Sequence, residues 1–168
     1  MSVGRKERVT LVLAALTVLV LALSVPGSLR SAWERGGLYI FSEEFLVDLP
    51  KRLFGPGRFR FLIQPLVAIT LGVAAGRADA RAGRAPYLYA LLLGGGNRVG
   101  LARSALRDVA NLLLAGILLD SVCQWLILGA SYLGAALLVG PVLIAVPYAS
   151  ARALANRVAA ARESRSTR

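Results

Sequence analysis

The sequence has no histidine, a single cysteine and only nine acidic residues. Without histidine it lacks the commonest metal ligand, the Ser-His-Asp and Cys-His arrangements, and the usual general base near neutral pH. Cys123 alone can close no intramolecular disulfide and build no cysteine metal cluster. Haem iron would be left with Met1, Cys123 or a tyrosine, none in a suitable context. No metal and no cofactor is therefore expected. Basic residues are plentiful, with a net charge of +11. They are scattered between apolar runs and form no reader motif, so anionic lipid headgroups, rather than nucleic acid, are the expected partner.

Apolar sequence is what the chain has in excess. Of its 168 residues, 57% are hydrophobic and 17% charged, and the mean hydropathy is +0.64. Soluble domains run closer to roughly 45–50% apolar and about 25% charged. The excess lies in four runs, at about 9–25, 61–76, 109–128 and 132–149. A membrane-crossing helix needs about 20 residues, with roughly 17–25 the usual range. The second run is short, but Arg60 and Arg77 at its ends can snorkel and extend it. The pattern predicts an all-α fold: a single polytopic membrane domain over 1–168, with four transmembrane helices plus interfacial helices. The first run, with Ala22-Leu23-Ser24 after a basic start, also has the form of a signal peptide. Its apolar stretch exceeds the roughly 7–15 residues of such a peptide, which favours an uncleaved helix.

The basic residues set an orientation. With the N-terminus inside, 14 of the 20 fall on the inner side: Arg5, Lys6 and Arg8, the loop 77–107, and the basic tail 150–168. The outer loop 26–58 holds most of the rest, together with Glu34, Glu43, Glu44 and Asp48. Both termini are thus expected in the cytoplasm.

Within the outer loop, Ser42 can cap a helix with Glu43 and Glu44 in its first turn. Phe45, Leu46, Leu49, Leu53 and Phe54 follow at helical spacing, with Lys51 and Arg52 beside the stripe and Pro50 expected to break or bend it. Either a helix on the outer membrane surface or a small cap on the bundle fits. Gly55-Pro56-Gly57 then turns the chain. In the inner loop, Pro86 is expected to stop an extension of the second helix. Tyr87–Leu93 is placed at the interface, with Tyr87 and Tyr89 at headgroup level. Gly94-Gly95-Gly96-Asn97 is expected as a break. It lacks the Gly-Lys-Ser/Thr ending of a phosphate loop and follows no strand. Arg77, Arg81, Arg84, Arg98, Arg103 and Arg107 form the expected headgroup-binding face, or a solvated positive-inside loop.

Asp120 is the most informative residue, because it lies inside the third run. A charge there costs about 2.5–3.5 kcal/mol on insertion scales. Gln124 follows one turn on, on the same face, and Gln64 lies at a similar depth in the second run. The expected cluster is Asp120, Gln124, Gln64 and Arg60. Gln64 would bond to Gln124 across the helices, and Arg60 would reach down to the carboxylate through Gln124 or water. It reads as a structural clasp or as a proton or solute site. Gly116 and Ala115 are expected to let the third helix approach the fourth at Gly134 and Ala135. Pro65, Pro141 and Pro147 are expected to kink their spans.

The strings Arg58-Phe-Arg-Phe-Leu-Ile-Gln-Pro-Leu-Val-Ala, Gly76-Arg-Ala-Asp-Ala-Arg-Ala-Gly-Arg-Ala-Pro-Tyr-Leu-Tyr-Ala-Leu-Leu and Ile117-Leu-Leu-Asp-Ser-Val-Cys-Gln-Trp-Leu-Ile-Leu carry a resemblance. Over roughly 58–157 the chain resembles a family of small uncharacterised bacterial inner-membrane proteins. That resemblance implies a location and supplies no catalytic residue. The expected function is a non-enzymatic accessory or assembly subunit, joined to other membrane subunits or to copies of itself. The alternatives are a small transport or proton-conducting unit using Asp120 and, third, a lipid-modifying enzyme based on Asp79 or Asp108.

Overall fold

The computed structural model describes residues 3–55, 57–94 and 98–166, without the side chains of residues 3, 5, 6, 163, 164 and 166. The expected break at Gly95, Gly96 and Asn97, Pro56 of the turn, the Arg5 and Lys6 side chains, and Arg168 of the tail lie outside the described residues. Every regular element among the described residues is helical. They are α1 (Val3–Arg35), a 3-10 turn (Tyr39–Phe41), α2 (Glu43–Phe54), α3 (Arg60–Arg81), α4 (Tyr87–Leu92), α5 (Arg98–Leu128) and α6 (Leu133–Ser166).

Four of these helices are long and apolar enough to cross a bilayer: Glu7–Arg35, Arg60–Arg81, Arg98–Leu128 and Leu133–Arg162. This is compatible with a multi-pass integral membrane protein. Each helix outruns its apolar stretch. The 22 residues of α3 and 31 of α5 extend about 33 and 46 Å, against a hydrocarbon core of about 30 Å. Alanine and arginine, which fill the ends of these helices, are good helix formers outside lipid as well as within it. Hydropathy marks where lipid could begin, and the backbone does not stop there.

The stops have local causes. At the end of α1, Gly36 adopts φ 69°, and the Gly37 N–H donates to the Ala32 carbonyl. At the end of α3, Gly83 has φ 64° and the Arg84 N–H returns to the Asp79 carbonyl. Both are glycine caps that satisfy otherwise orphaned carbonyls. The second corrects an expectation: α3 ends at Arg81 because of Gly83, ahead of Pro86. Pro50 does not break α2, which runs on to Phe54. The carbonyl it frees belongs to Leu46, and both residues are exposed, so solvent can take the bond. Pro26, Pro65, Pro141 and Pro147 also lie within unbroken helices.

The chain divides into two compact units, to which α3, α5 and α6 each contribute. One comprises Met1–Leu62 and Asn111–Val142, the other Ile63–Ala110 and Leu143–Arg168. In the first unit, α1 is tied to α5 by the Thr17 hydroxyl donating to the Leu114 carbonyl at 3.2 Å. It is tied to the start of α6 by Ser28, whose hydroxyl accepts the Leu133 N–H at 3.0 Å. Gly116 of α5 meets Gly140, not Gly134, whose nearest neighbour is Ile40. The register follows from the turn. The Tyr132 N–H is held by the Gln124 side chain, and roughly two helical turns onward in α6 and two back in α5 bring Gly140 to Gly116. In the second unit, α3 and α6 run side by side in the same direction, with Gly72 against Tyr148 and Gly76 against Arg152 and Ala155. A Cβ at either glycine would collide with the backbone of α6.

Candidate functional site

Among the described residues, each unit holds a cluster of acidic and basic side chains drawn together in its interior. In the first unit the centre is Asp120 of α5, 1% exposed. Gln124, one turn on, donates through Nε2 to Asp120 Oδ2 at 2.6 Å. Its Oε1 accepts the Tyr132 N–H at 2.8 Å, so one amide links the carboxylate to the α5–α6 turn. Arg60, at the start of α3, places Nη2 2.8 Å from Asp120 Oδ1. That distance is a charge contact; the N–H does not point at the oxygen, and no guanidinium nitrogen of Arg60 has a hydrogen-bond partner. Arg52 of α2 approaches from outside the spans, with Nη1 3.6 Å from Asp120 Oδ2.

Arg52 was not expected here. Its place beside the apolar stripe of α2 did not mark it as a partner of Asp120, yet it is fully buried. Aromatic rings make this tolerable: its guanidinium lies 5.7 Å from the Tyr39 ring and 5.6 Å from the Phe45 ring. Those rings are themselves anchored. Tyr39 stacks on Tyr132 at 3.8 Å, and Arg35 donates to the Tyr132 hydroxyl and pairs with Glu44 of α2. Ser42 caps α2 as expected, its hydroxyl accepting the Phe45 N–H. With Arg52 turned inward, α2 is a cap fastened to its unit.

Beyond the cap's core, the Tyr39 hydroxyl donates to Asp48 at 2.8 Å and Lys51 donates to the other Asp48 oxygen at 2.9 Å. Burial, reinforced by the bond to Asp48, pushes the Tyr39 phenol well above its usual range, against the charge of Arg52. Partial burial raises Asp48, but the bonds from Lys51 and Tyr39 and the charges of Lys51 and Arg52 outweigh it and hold the carboxyl below its ordinary value.

Gln64 does not join Gln124 as expected. It belongs to the other unit, is 6% exposed, and its Oε1 has no hydrogen-bond partner. Gln124 has instead committed both ends of its amide, to Asp120 and to Tyr132. Arg60 reaches the carboxylate directly, with neither Gln124 nor water between them.

The second cluster centres on Arg152 of α6, 3% exposed. Its Nε donates to Asp79 Oδ2 at 2.6 Å and its Nη1 to the Tyr148 hydroxyl at 3.0 Å. Tyr148 in turn donates to Asp108 Oδ2 at 2.6 Å, an oxygen that lies 3.5 Å from Arg152 Nη1. Arg84 pairs with the other Asp79 oxygen at 3.0 Å. The guanidinium of Arg152 also covers the Tyr87 ring at 4.6 Å. Tyr87 is therefore a buried wall, not a headgroup-level residue as expected, and burial raises its phenol against the charge of Arg152. Tyr89, half exposed, keeps the exposed position. The close approach of α6 at Gly72 and Gly76 is what brings Arg152 to Asp79.

Sequence reasoning missed Arg52 and, in the second network, the pairing of Asp79 and Asp108 with Arg152 and Tyr148. It placed Arg152 in a tail and Arg84 on a headgroup face. The signal for Arg152 was its i+4 spacing from Tyr148 together with Gly72 and Gly76. Nothing local marked Arg52. Of the other expected headgroup arginines, Arg98 donates to the Gly94 carbonyl, while Arg77, Arg81, Arg103 and Arg107 are exposed. Cys123 is buried. Among the described residues no group of His, Cys, Asp or Glu is placed to hold a metal ion. No family model matches the chain, and no curated protein and no solved structure matches it.

Proposed function

We propose that this chain is a non-enzymatic, multi-pass protein of the bacterial inner membrane, with cytoplasmic termini, serving as an accessory or assembly subunit of a larger membrane complex or of a homo-oligomer. The observation that carries this is a contrast. Asp79, Asp108 and Asp120, the three aspartates within the candidate spans, are each engaged by an arginine of the same chain. The apolar flanks are not so engaged. Along α1, Leu11, Val12, Val18, Leu19, Leu23 and Leu29 are all exposed, a face for lipid or for helices of other subunits. The distribution of arginine and lysine supports the orientation, and the resemblance over 58–157 supports the compartment. Native mass spectrometry from mild detergent tests the role. A stoichiometric complex or oligomer is expected, and a bare monomer under every gentle condition overturns it.

A proton-conducting role would make Asp120 the carrier. A carboxylate held by two guanidiniums and an amide at 1% exposure is poorly suited to releasing and rebinding protons. Proton flux in proteoliposomes that Asp120→Asn abolishes, with the protein still folded, would replace the subunit role. The lipid-modifying alternative gains one observation: Asp79, Asp108, Ser104, Arg84 and Arg152 line an open cavity of about 440 Å³. Both carboxylates there already accept hydrogen bonds, from Arg152, Arg84 and Tyr148, which suits architecture better than a free base. Turnover of a phospholipid that Asp108→Asn removes would favour the enzyme.

A further inference from the structure

We propose that the second unit binds one anionic diacyl phospholipid in a groove between the C-terminal portions of α3 and α6. The groove has a volume of about 380 Å³ and is lined by Val73, Arg77 and Arg81 from α3 and by Leu154, Val158 and Arg162 from α6. Each set repeats every fourth residue, so each forms one stripe on its helix. The two helices run in the same direction, as Gly72 beside Tyr148 and Gly76 beside Arg152 require. Both stripes therefore start apolar and end basic. The groove has a greasy end at Val73 and Leu154 and a cationic end at Arg81 and Arg162, about 12 Å apart along the helix.

That polarity fits a phospholipid lying along the bilayer normal. An acyl chain lies on the valines and leucine, and the phosphate meets the arginines. The charge argues for an anionic headgroup. None of Arg77, Arg81 and Arg162 is ion-paired among the described residues. The nearby carboxylates Asp79 and Asp108 are already held by Arg152 and Arg84. Arginine forks bind phosphate oxygens bidentately, and three of them disfavour the ammonium of a zwitterionic headgroup. This narrows the expected basic face: Arg84 is drawn to Asp79, Arg98 to the Gly94 carbonyl, Arg103 and Arg107 of α5 do not line the groove, and Arg162 is added. The inference rests on the bilayer placement proposed above and is independent of the subunit role.

The test uses the full chain in nanodiscs of mixed phosphatidylglycerol and phosphatidylethanolamine, with native mass spectrometry reading the lipid that stays bound. The wild type is expected to retain one phosphatidylglycerol in preference to phosphatidylethanolamine. Each arginine-to-glutamine change at 77, 81 or 162 should lower that preference about fivefold. Arg98→Gln/Arg103→Gln/Arg107→Gln should leave it unchanged. Ala159 of α6 also lines the groove; Ala159→Phe keeps all three arginines but fills the groove, and should expel the lipid even if the arginine variants fail to fold. Equal retention of the two lipids by the wild type overturns the proposal. So does a control variant that loses the preference as fully as the groove variants, or an Ala159→Phe protein that keeps it. Displacement by millimolar inorganic phosphate, with no dependence on the acyl chains, would assign the arginines to a free oxyanion instead. Release of the protein from membranes by carbonate, without detergent, would instead defeat the bilayer placement itself.

Discussion

Arg60 of α3 and Asp120 of α5 meet at 2.8 Å with both side chains 1% exposed, and Arg52 of α2 adds a second buried guanidinium at 3.6 Å from the same carboxylate. One carboxylate thus faces two cations, and the aromatic rings of Tyr39, Phe45 and Phe61 lie over the guanidiniums. The pair is part of a ring of contacts that fastens the cap, α2, to the helices of its unit.

Removing the carboxylate leaves two buried cations unpaired. Asp120→Asn should therefore destabilise by about 3–5 kcal/mol, read as loss of folded protein in a denaturant titration in detergent. Replacing all three, as Arg52→Met/Arg60→Met/Asp120→Leu, should recover most of that loss, because a packed apolar set needs no desolvation of charge. An Asp120→Asn protein as stable as wild type would show that the charges are screened in a way this geometry does not provide.

In the second unit the two aspartates should differ. Asp79 is 5% exposed at its side chain and takes Arg152 at 2.6 Å, whereas Asp108 is 43% exposed. Asp79→Asn should cost several-fold more stability than Asp108→Asn, since only the first leaves Arg152 buried without its main partner. Equal losses in a thermal-shift comparison would contradict the assignment.

Gly76→Ala tests how Arg152 comes to lie there. A methyl group at this position would press on the Arg152 carbonyl and on the Ala155 side chain. Overpacking of this kind typically costs about 1–3 kcal/mol. The loss should shrink when Arg152→Met is already present, a coupling that a double-mutant cycle measures.

The cap should respond to pH from both sides. Burial raises the Tyr39 phenol in the folded state, so its contribution is complete below the unfolded value of about 10 and fades as pH rises toward the folded one. Asp48 is held below its ordinary value, so its contribution is present above the unfolded carboxylate pKa and fades as pH falls through the folded one. Ultraviolet titration of the wild type against Tyr39→Phe should show the Tyr39 phenol among those ionising late, beside buried Tyr87, and Asp48→Asn should bring it earlier without restoring the ordinary value, because burial is the larger cause. A Tyr39 phenol that titrates normally would mean the cap is open.

The four long apolar helices, their order, and the need of Asp120 for a partner were legible in the sequence, because composition over some twenty residues decides whether a segment suits lipid, and a carboxylate inside such a run must find a partner. Ser42 as a helix cap was legible too, since its signal is local. The partners were not. Gln124 could have faced Gln64 by depth alone, but the Tyr132 N–H at the α5–α6 turn claims it. Arg52 gave no sign of burial, since its reach into the unit depends on where α2 comes to rest. Arg152 sat in what composition marks as a basic tail, until two glycines of α3 let α6 close against it. Hydrophobicity is a property of segments and survives being read in one dimension. Pairing of buried charges depends on distances of a few ångströms between residues far apart in the chain, and only the packed helices fix those.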